Sequence, residues 1–157
     1  MRHTKYIMRI MAGGHMDERG FTLVELIIVI AIIGILAVIA IPAYIGQQKS
    51  ASRNEAYANL QNLRLLEEQF FAENGNYTAS QGTCAKDNTA ANNTLIQAVL
   101  PRFLPGSGQI YSYCIEQNKD VNGNAQTPCF RASAFGNSST RVNNDVFRID
   151  CNNNRTF

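Results

Sequence analysis

Hydrophobic residues are concentrated in one continuous run near the start of the chain. Residues 26–45 are twenty positions rich in Ile, Leu, Val and Ala, interrupted only by Gly34 and Pro42. At about 1.5 Å per residue, a helix of this length crosses a hydrocarbon core of roughly 30 Å. The run lacks the polar face that a core helix of a soluble domain would show. The pattern therefore predicts a membrane-spanning helix.

Beyond this run the apolar positions become periodic. They recur at spacings of three or four and comprise Tyr57, Leu60, Leu63, Leu66 and Phe70, with Phe71 alongside. Charged residues occupy much of the other face, namely Arg53, Glu55, Arg64, Glu67, Glu68 and Glu73. This spacing is typical of an amphipathic helix, and Gly75 after Asn74 indicates its end. We expect one helix from residue 21 to about residue 74, roughly 80 Å long and kinked near Pro42.

The remainder of the chain alternates between turn-forming and strand-forming segments. Residues 77–93 predict a polar surface loop, residues 94–100 a short helix stopped by Pro101, and residues 105–108 a turn. Three strands are predicted at residues 109–116, 129–135 and 145–151, separated by Asn- and Gly-rich connections. The predicted fold class is α+β, with a long N-terminal helix packed on an antiparallel sheet of three or four strands.

Charge is distributed unevenly along the sequence. The net charge is +2, and the first twenty residues carry this whole excess because the rest of the chain is formally neutral. A basic segment before a membrane helix stays in the cytoplasm, so the C-terminal part is expected outside it. No clustered basic face is visible, and the sequence therefore predicts no nucleic-acid partner.

Six residues at the start of the apolar run form a specific motif. Gly20-Phe21-Thr22-Leu23-Val24-Glu25, preceded by the basic Arg19, resembles the cleavage motif of type IV pilins. The resemblance implies that a prepilin peptidase cuts between Gly20 and Phe21 and that Phe21 is then N-methylated. It also implies a leader of residues 1–20, a membrane and filament-core helix at 21–48 and a globular head at 49–157. Translation is expected to begin at Met16, with Met1 as the alternative.

The same resemblance assigns roles inside the helix. Glu25 becomes the fifth mature residue, which in type IV pilins pairs with the terminal amine of a neighbouring subunit. Opposite charges attract strongly in a low-dielectric core, and each is costly to bury alone, so the pairing would act as a registry check. Gly34 and Pro42 correspond to positions where the family's helix kinks or locally melts, since glycine and proline weaken helices.

All four cysteines lie beyond the apolar run, at Cys84, Cys114, Cys129 and Cys151. An even count in a small, loop-rich region predicts two disulfides and an oxidising compartment. A hairpin centred on Asn122-Gly123 would favour Cys114 with Cys129, which leaves Cys84 for Cys151. The sequential pairing, Cys84–Cys114 and Cys129–Cys151, is the alternative.

The ionisable groups predict neither catalysis nor a metal site. The only histidines, His3 and His15, lie in the leader, so the mature chain lacks the commonest general base. Asp120, Asn122 and Asn124 alternate as in a calcium loop, but no bidentate glutamate follows. Asp145 and Asp150 are interpreted as surface charge, and no cofactor is expected. Glycosylation stays open at four sequons, which begin at Asn76, Asn92, Asn137 and Asn154.

The resemblance implies a structural subunit stored in the inner membrane, with a periplasmic head, and then packed into an extracellular pilus. Its implied partners are copies of itself, the membrane, prepilin peptidase, and the inner-membrane assembly platform with its ATPase. The pilus would serve adhesion, twitching motility or DNA uptake. A type II secretion pseudopilin is the alternative within the superfamily, and a single-pass anchored binding protein that never polymerises is the alternative outside it.

Overall fold

The computed structural model describes residues 20–106, 108 and 110–157. It contains the helices α1 (Leu23–Asn74) and α2 (Thr89–Val99) and the strands β1 (Tyr111–Lys119), β2 (Ala125–Gly136) and β3 (Val146–Asp150). The predicted α+β class is confirmed. The predicted leader before Gly20, with Met1, Met16, Arg19 and both histidines, lies outside the described residues, as do Ser107 and Gln109.

The chain divides into two compact units, the first ending at Ile41 and the second running from Pro42 to Phe157. In the first unit, α1 begins at Leu23 and exposes its apolar side chains. In the second unit, α1 continues to Asn74, and Gly75 follows at φ +73°, donating its N–H to the Phe71 carbonyl at 2.8 Å. Glycine tolerates this left-handed conformation, so the predicted helix end is confirmed.

The second unit contains an antiparallel sheet with the strand order β1-β2-β3. Tyr111 pairs with Gly136, and Phe135 pairs with Val146. All three predicted strands are present, and their ends differ from the prediction by up to four residues. An added Cβ at Gly136 would collide with the Val142 carbonyl, so this close approach of two backbone segments requires glycine.

The core lies between one face of the sheet and the amphipathic part of α1. Leu60 and Leu63 are fully buried, as the helical spacing predicts, and Tyr57, Leu66, Phe70 and Phe71 pack partly buried against them. Alternate residues in the paired middle of the sheet face the core, including Ile115, Phe130 and Ile149. The C-terminal Phe157 stacks on Tyr57 with ring centroids 4.4 Å apart, which holds the end of the chain against the helix.

The segment predicted as a polar surface loop is partly wrong. Helix α2 begins at Thr89, five residues before the predicted start, and Tyr77 and Thr78 are buried. Thr89 and Asn92 can be buried because their polar atoms are hydrogen-bonded. The Thr89 hydroxyl lies 3.0 Å from that of Ser112, and the Asn92 amide bonds the Thr83 backbone at both its nitrogen and its oxygen.

The structure contains the sequential disulfides, Cys84–Cys114 and Cys129–Cys151. The hairpin argument for pairing Cys114 with Cys129 is wrong because the register is shifted. Cys114 lies opposite Ser133, which is four residues from Cys129. Four residues of strand span about 13 Å, which is too far for a disulfide.

Candidate functional site

The predicted cleavage site lies in exposed backbone immediately before α1. Gly20 and Phe21 have no regular secondary structure, and the Phe21 side chain is 88% exposed. An added Cβ at Gly20 would meet nothing within 4 Å. None of the described residues therefore blocks access to the bond between Gly20 and Phe21.

Thr22 and Glu25 form a reciprocal cap at the start of α1. Glu25 Oε2 accepts hydrogen bonds from the Thr22 N–H and hydroxyl, both at 2.9 Å, and Thr22 Oγ1 accepts the Glu25 N–H at 3.1 Å. This is a capping box, which satisfies donors that the first helical turn leaves unpaired. Sequence reasoning missed it, although Thr-x-x-Glu before an apolar run is its known signature. Among the described residues, none donates a hydrogen bond to Glu25 Oε1, and the Glu25 side chain is exposed.

Large apolar side chains cover the first part of α1 and are exposed. From Leu23 to Ile45 they show between 47% and 75% of their surface. Among the described residues, α1 is the one helix long and apolar enough to cross a membrane. A monomeric soluble protein rarely exposes so large an apolar surface, which normally marks a membrane or protein contact.

Gly34 and Pro42 both lie within the continuous helix α1. An added Cβ at Gly34 would meet nothing within 4 Å. Proline lacks the N–H that would bond the carbonyl one turn earlier, so the helix contains a missing hydrogen bond at residue 42. The predicted kink or local melting at these positions stays a prediction.

An ion pair joins the start of the amphipathic part of α1 to the segment before β3. Arg53 donates two hydrogen bonds to the Asp145 carboxylate, each at 2.7 Å, and the Tyr111 hydroxyl donates a third at 3.1 Å. The hydrogen bonds from Arg53 hold the pKa of Asp145 below its usual range. Burial raises the pKa of Tyr111, which therefore stays a neutral donor. Asp145, interpreted from the sequence as surface charge, is instead 7% exposed and clamps three segments together.

Glu67 is a second buried carboxylate that the sequence pattern placed wrongly on the polar face of the helix. It is fully buried and accepts hydrogen bonds from the Thr78 hydroxyl at 2.5 Å and the Thr78 N–H at 3.1 Å. Burial raises the pKa of Glu67, and the bonds from Thr78 oppose that rise. The contact fixes the chain just after it leaves α1.

The two candidate acids Asp145 and Asp150 do not form a common site. Asp150 is fully buried, and its carboxylate accepts the N–H groups of Val121, Asn152 and Asn154 and the side-chain amide of Asn154. It therefore has its own separate set of partners. These bonds tie the loop after β1 to the C-terminal segment, which is a structural role.

Asp120 and Asp150 are the first residues of two loops that share the same hydrogen-bonding pattern. Each begins a D-x-N-x-N sequence in which the carboxylate bonds the backbone of the residues two and four positions ahead. In each loop the fourth residue has a positive φ, +95° at Gly123 and +60° at Asn153. The oxygens that a calcium loop would offer to a cation here accept amide hydrogens instead.

The four sequons differ in access. Asn92 and Asn137 are 1% and 5% exposed and hydrogen-bonded through their side chains. Asn154 is exposed, but its amide donates to Asp150 at 3.0 Å. Asn76 is exposed in the segment that follows α1. The fold thus uses three of the four amides internally.

A family model matches the N-terminal part of the chain, and several characterised proteins match longer stretches of it. The Prokaryotic N-terminal methylation motif matches residues 15–41. The chain is 52% identical to the type IV major pilin protein PilA of Myxococcus xanthus over 61 residues, which are 39% of this chain and 28% of that protein. It is 32% identical to the fimbrial protein EcpB of Eikenella corrodens over 66% of this chain and 63% of that protein.

A secretion protein matches as well. The type II secretion system core protein G of Pectobacterium carotovorum is 31% identical over 64 residues, which are 41% of each chain. The chain thus spans less than two thirds of the length of each of these relatives. No solved structure matches the chain significantly. The motif, the pilin matches and the long apolar helix before an antiparallel sheet agree with one another, and together they support a type IV pilin with a class III signal peptide.

Proposed function

We propose that this chain is a structural subunit of a type IV pilus. The observation that carries the proposal is the apolar surface of α1 from Leu23 to Ile45, which is exposed and which none of the described residues covers. Lipid would cover it while the subunit is stored in the inner membrane, and the same helices of other copies would cover it in the filament. The head, residues 49–157, would lie in the periplasm before assembly and on the filament surface afterwards.

The N-terminal residues would act in cleavage, methylation and assembly. Prepilin peptidase removes residues 1–20 by cutting between Gly20 and Phe21, and Phe21 becomes the N-methylated terminus. Glu25 Oε2 already caps its own helix through Thr22, and Oε1 is the oxygen that would meet the terminal amine of a neighbouring subunit. Gly34 and Pro42 would let the helix bend or melt during extraction by the assembly platform and its ATPase.

Mass spectrometry of the membrane-extracted protein tests the cleavage step. The expected N-terminus is N-methyl-phenylalanine at Phe21, and sheared surface material should contain filaments of the same subunit by electron microscopy. Gly20→Val is the matched control, because it adds bulk beside the scissile bond at a position where an added Cβ meets no described atom within 4 Å. An intact leader in the wild-type protein would contradict the proposal and favour an anchored binding protein.

A type II secretion pseudopilin is the second candidate, favoured by the match to core protein G over 64 residues. Both candidates share cleavage and polymerisation, so the N-terminus does not separate them. Deleting this chain distinguishes them: loss of surface filaments with normal protein secretion supports the pilus, and loss of secretion without loss of surface filaments supports the pseudopilus.

A further inference from the structure

The apolar run of α1 ends at Tyr44 and Ile45, close to the first residues of the head. Both side chains are exposed, at 64% and 54%. Residues 47–49 are polar, so the apolar character of the helix stops within one turn. Tyrosine is enriched where hydrocarbon meets lipid headgroups, because its ring is apolar and its hydroxyl is polar. The edge of the hydrocarbon layer is therefore expected near Ile45.

Two basic side chains lie just beyond this edge. Lys49 is four residues after Ile45, which is about 6 Å along a helix. Arg141, in the loop between β2 and β3, donates a hydrogen bond to the Gln48 side chain, so it reaches the same level of α1 from a distant part of the chain. The headgroup layer on each side of a bilayer is roughly 5–8 Å thick. Both bases therefore lie at the depth of the lipid headgroups.

The head does not neutralise these two bases. Arg53 is already occupied, because it donates two hydrogen bonds of 2.7 Å to the Asp145 carboxylate. The pKa of Asp145 is lowered mainly by these bonds, and the nearby charge of Lys49 lowers it further. In the part of the chain that the structure describes, neither Lys49 nor Arg141 forms an ion pair. Two bases thus share one acid, and Arg141 adds a second uncompensated positive charge.

The other charged groups near this end of the head leave the excess unchanged. Asp87 accepts the N–H of Ser138, in the loop between β2 and β3, at 2.9 Å, and Lys86 directly before it carries the opposite charge. Glu55 is the next acid along α1, about 15 Å beyond the end of the apolar run. The end of the head nearest the membrane therefore has an excess of two positive charges.

We infer that Lys49 and Arg141 bind the phosphate groups of anionic lipids in the leaflet next to the head. An anionic surface attracts each nearby Lys or Arg, and phosphate oxygens accept the hydrogen bonds that ammonium and guanidinium groups donate. Lys49 belongs to α1 and Arg141 to the sheet side, so the two contacts together would orient the head above the bilayer. The inference rests on the membrane-stored stage of the proposed function, and the contact would be lost on extraction.

Chemical footprinting of the full chain in lipid nanodiscs tests the contact. Discs of phosphatidylcholine are compared with discs of an equal mixture of phosphatidylcholine and phosphatidylglycerol. Each disc holds a single copy, so no neighbouring subunit can protect the two bases. Phenylglyoxal modifies arginine, acetic anhydride modifies lysine, and mass spectrometry measures each rate. We expect Arg141 and Lys49 to react about fivefold more slowly in the anionic discs.

Arg102 and Lys119 are the controls within the same sample. Arg102 lines a groove with Leu66 of α1, about 30 Å along the helix from the end of the apolar run. Lys119 is at the end of β1, two residues from Gln117, whose amide donates to the carbonyl of Tyr77 beyond the far end of α1. Their rates should be the same in both kinds of disc. Salt at about 1 M screens charges beyond about 3 Å and should abolish the protection of Arg141 and Lys49.

Equal rates in both kinds of disc for Arg141 and Lys49, as for the two controls, would overturn the inference. A chain that fails to enter the discs would instead contradict the membrane anchoring on which the proposed function depends.

Charge-matched variants show whether the two bases act together. Arg141 is exposed, so Arg141→Gln leaves the core of the head intact. This variant should reduce the protection of Lys49 in anionic discs, because the head would lose one of its two lipid contacts. Arg102→Gln removes the same charge at the far end of the head and should leave the protection of Lys49 unchanged. Equal protection of Lys49 in both variants would overturn the joint contact.

Discussion

The two units of the chain contain parts of the same long helix but differ in whether its apolar side chains are exposed or buried. Up to Ile41 the helix is apolar on all sides, and its large side chains are exposed. From Pro42 onwards the helix becomes amphipathic, and Leu60 and Leu63 are fully buried by the sheet of their own chain. The first unit therefore depends on other molecules to cover its apolar surface, whereas the second completes its own core.

The two units also differ in the bonds that stabilise them. In the first unit, the described side-chain hydrogen bonds are those between Thr22 and Glu25 at the helix start. The second unit contains both disulfides and the clamp of Arg53 on Asp145. Substitutions in the first unit should therefore change assembly with little effect on the fold of the head, and substitutions in the second should change stability first.

The largest effect is expected at Glu25. Glu25→Val should reduce filament yield by at least tenfold, because it removes both the helix cap and the charge that would meet a neighbouring amine. Glu25→Gln is the matched control, since it keeps an oxygen for Thr22 and loses only the charge. We expect both variants to accumulate in the membrane and to assemble poorly, as judged by the amount of subunit in sheared filaments. Normal assembly of Glu25→Gln would mean that capping, and not charge pairing, is the role of Glu25.

Removing a disulfide should produce the largest loss of head stability. Cys129 and Cys151 are separated by 22 residues, and opening a loop of this size costs about 3 kcal/mol. Cys129→Ala with Cys151→Ala should lower the free energy of unfolding by that amount, measured by denaturant titration of the full chain in detergent. The Cys84–Cys114 pair, separated by 30 residues, should give a similar loss when removed. An unchanged midpoint for both double variants would show that neither crosslink contributes.

Asp145→Asn should be less damaging, at about 2 kcal/mol, because it weakens the charge-assisted bonds from Arg53 while the side chain keeps its shape. The pKa of Asp145 is lower in the fold than in the unfolded chain, so its contribution is complete above the usual aspartate range. It is lost as the pH falls through the lowered pKa. Denaturant titrations at pH 7 and pH 3 should therefore show a smaller difference between variant and wild type at the lower pH.

A double-mutant cycle with Arg53→Met isolates this pair from the rest of the head. If the ion pair stabilises the head, the two substitutions together should cost less than the sum of each alone. Strictly additive losses would assign the effect of Asp145→Asn to its bond with Tyr111 instead.

The smallest effect is expected at Glu67, and its pH dependence has the opposite sign. Burial raises the pKa of Glu67, so the folded state holds a proton at pH values where the unfolded state has lost it. The contribution of Glu67 to stability therefore falls as the pH rises through the raised pKa. Glu67→Gln should remove this loss of stability with rising pH. The glutamine keeps a hydrogen bond to Thr78, and that bond contributes on the order of 1 kcal/mol. Thermal unfolding of the wild type and of Glu67→Gln between pH 4 and pH 7 measures this pH dependence. If the stability of both proteins changes with pH in the same way, the raised pKa of Glu67 is contradicted.

The elements read most reliably from the sequence are those that depend on neighbouring residues. The apolar run, the helical spacing of Leu60 and Leu63 and the glycine at residue 75 each act within a few residues, and the structure agrees with all of them. The Thr22–Glu25 cap was equally local and was within reach of the same reasoning. The motif at Gly20 and Phe21 is contiguous too, which is why a family model matches that region.

Contacts between distant residues required the tertiary structure. Arg53 and Asp145 are 92 positions apart, and their pairing depends on how the sheet packs on α1. Glu67 was assigned to the polar face because the sequence pattern does not show Thr78, eleven positions ahead, which donates hydrogen bonds to its buried carboxyl group. The cysteine pairing depended on the register of β1 and β2, where a bulge between Gln117 and Lys119 shifts one strand against the other. The sequence alone determined that the first half of the helix needs other molecules to cover it, because the run of apolar residues that makes up this half is contiguous in the chain. Packing decided which polar groups the head could bury, because burial is tolerated only where a partner is brought within hydrogen-bonding distance.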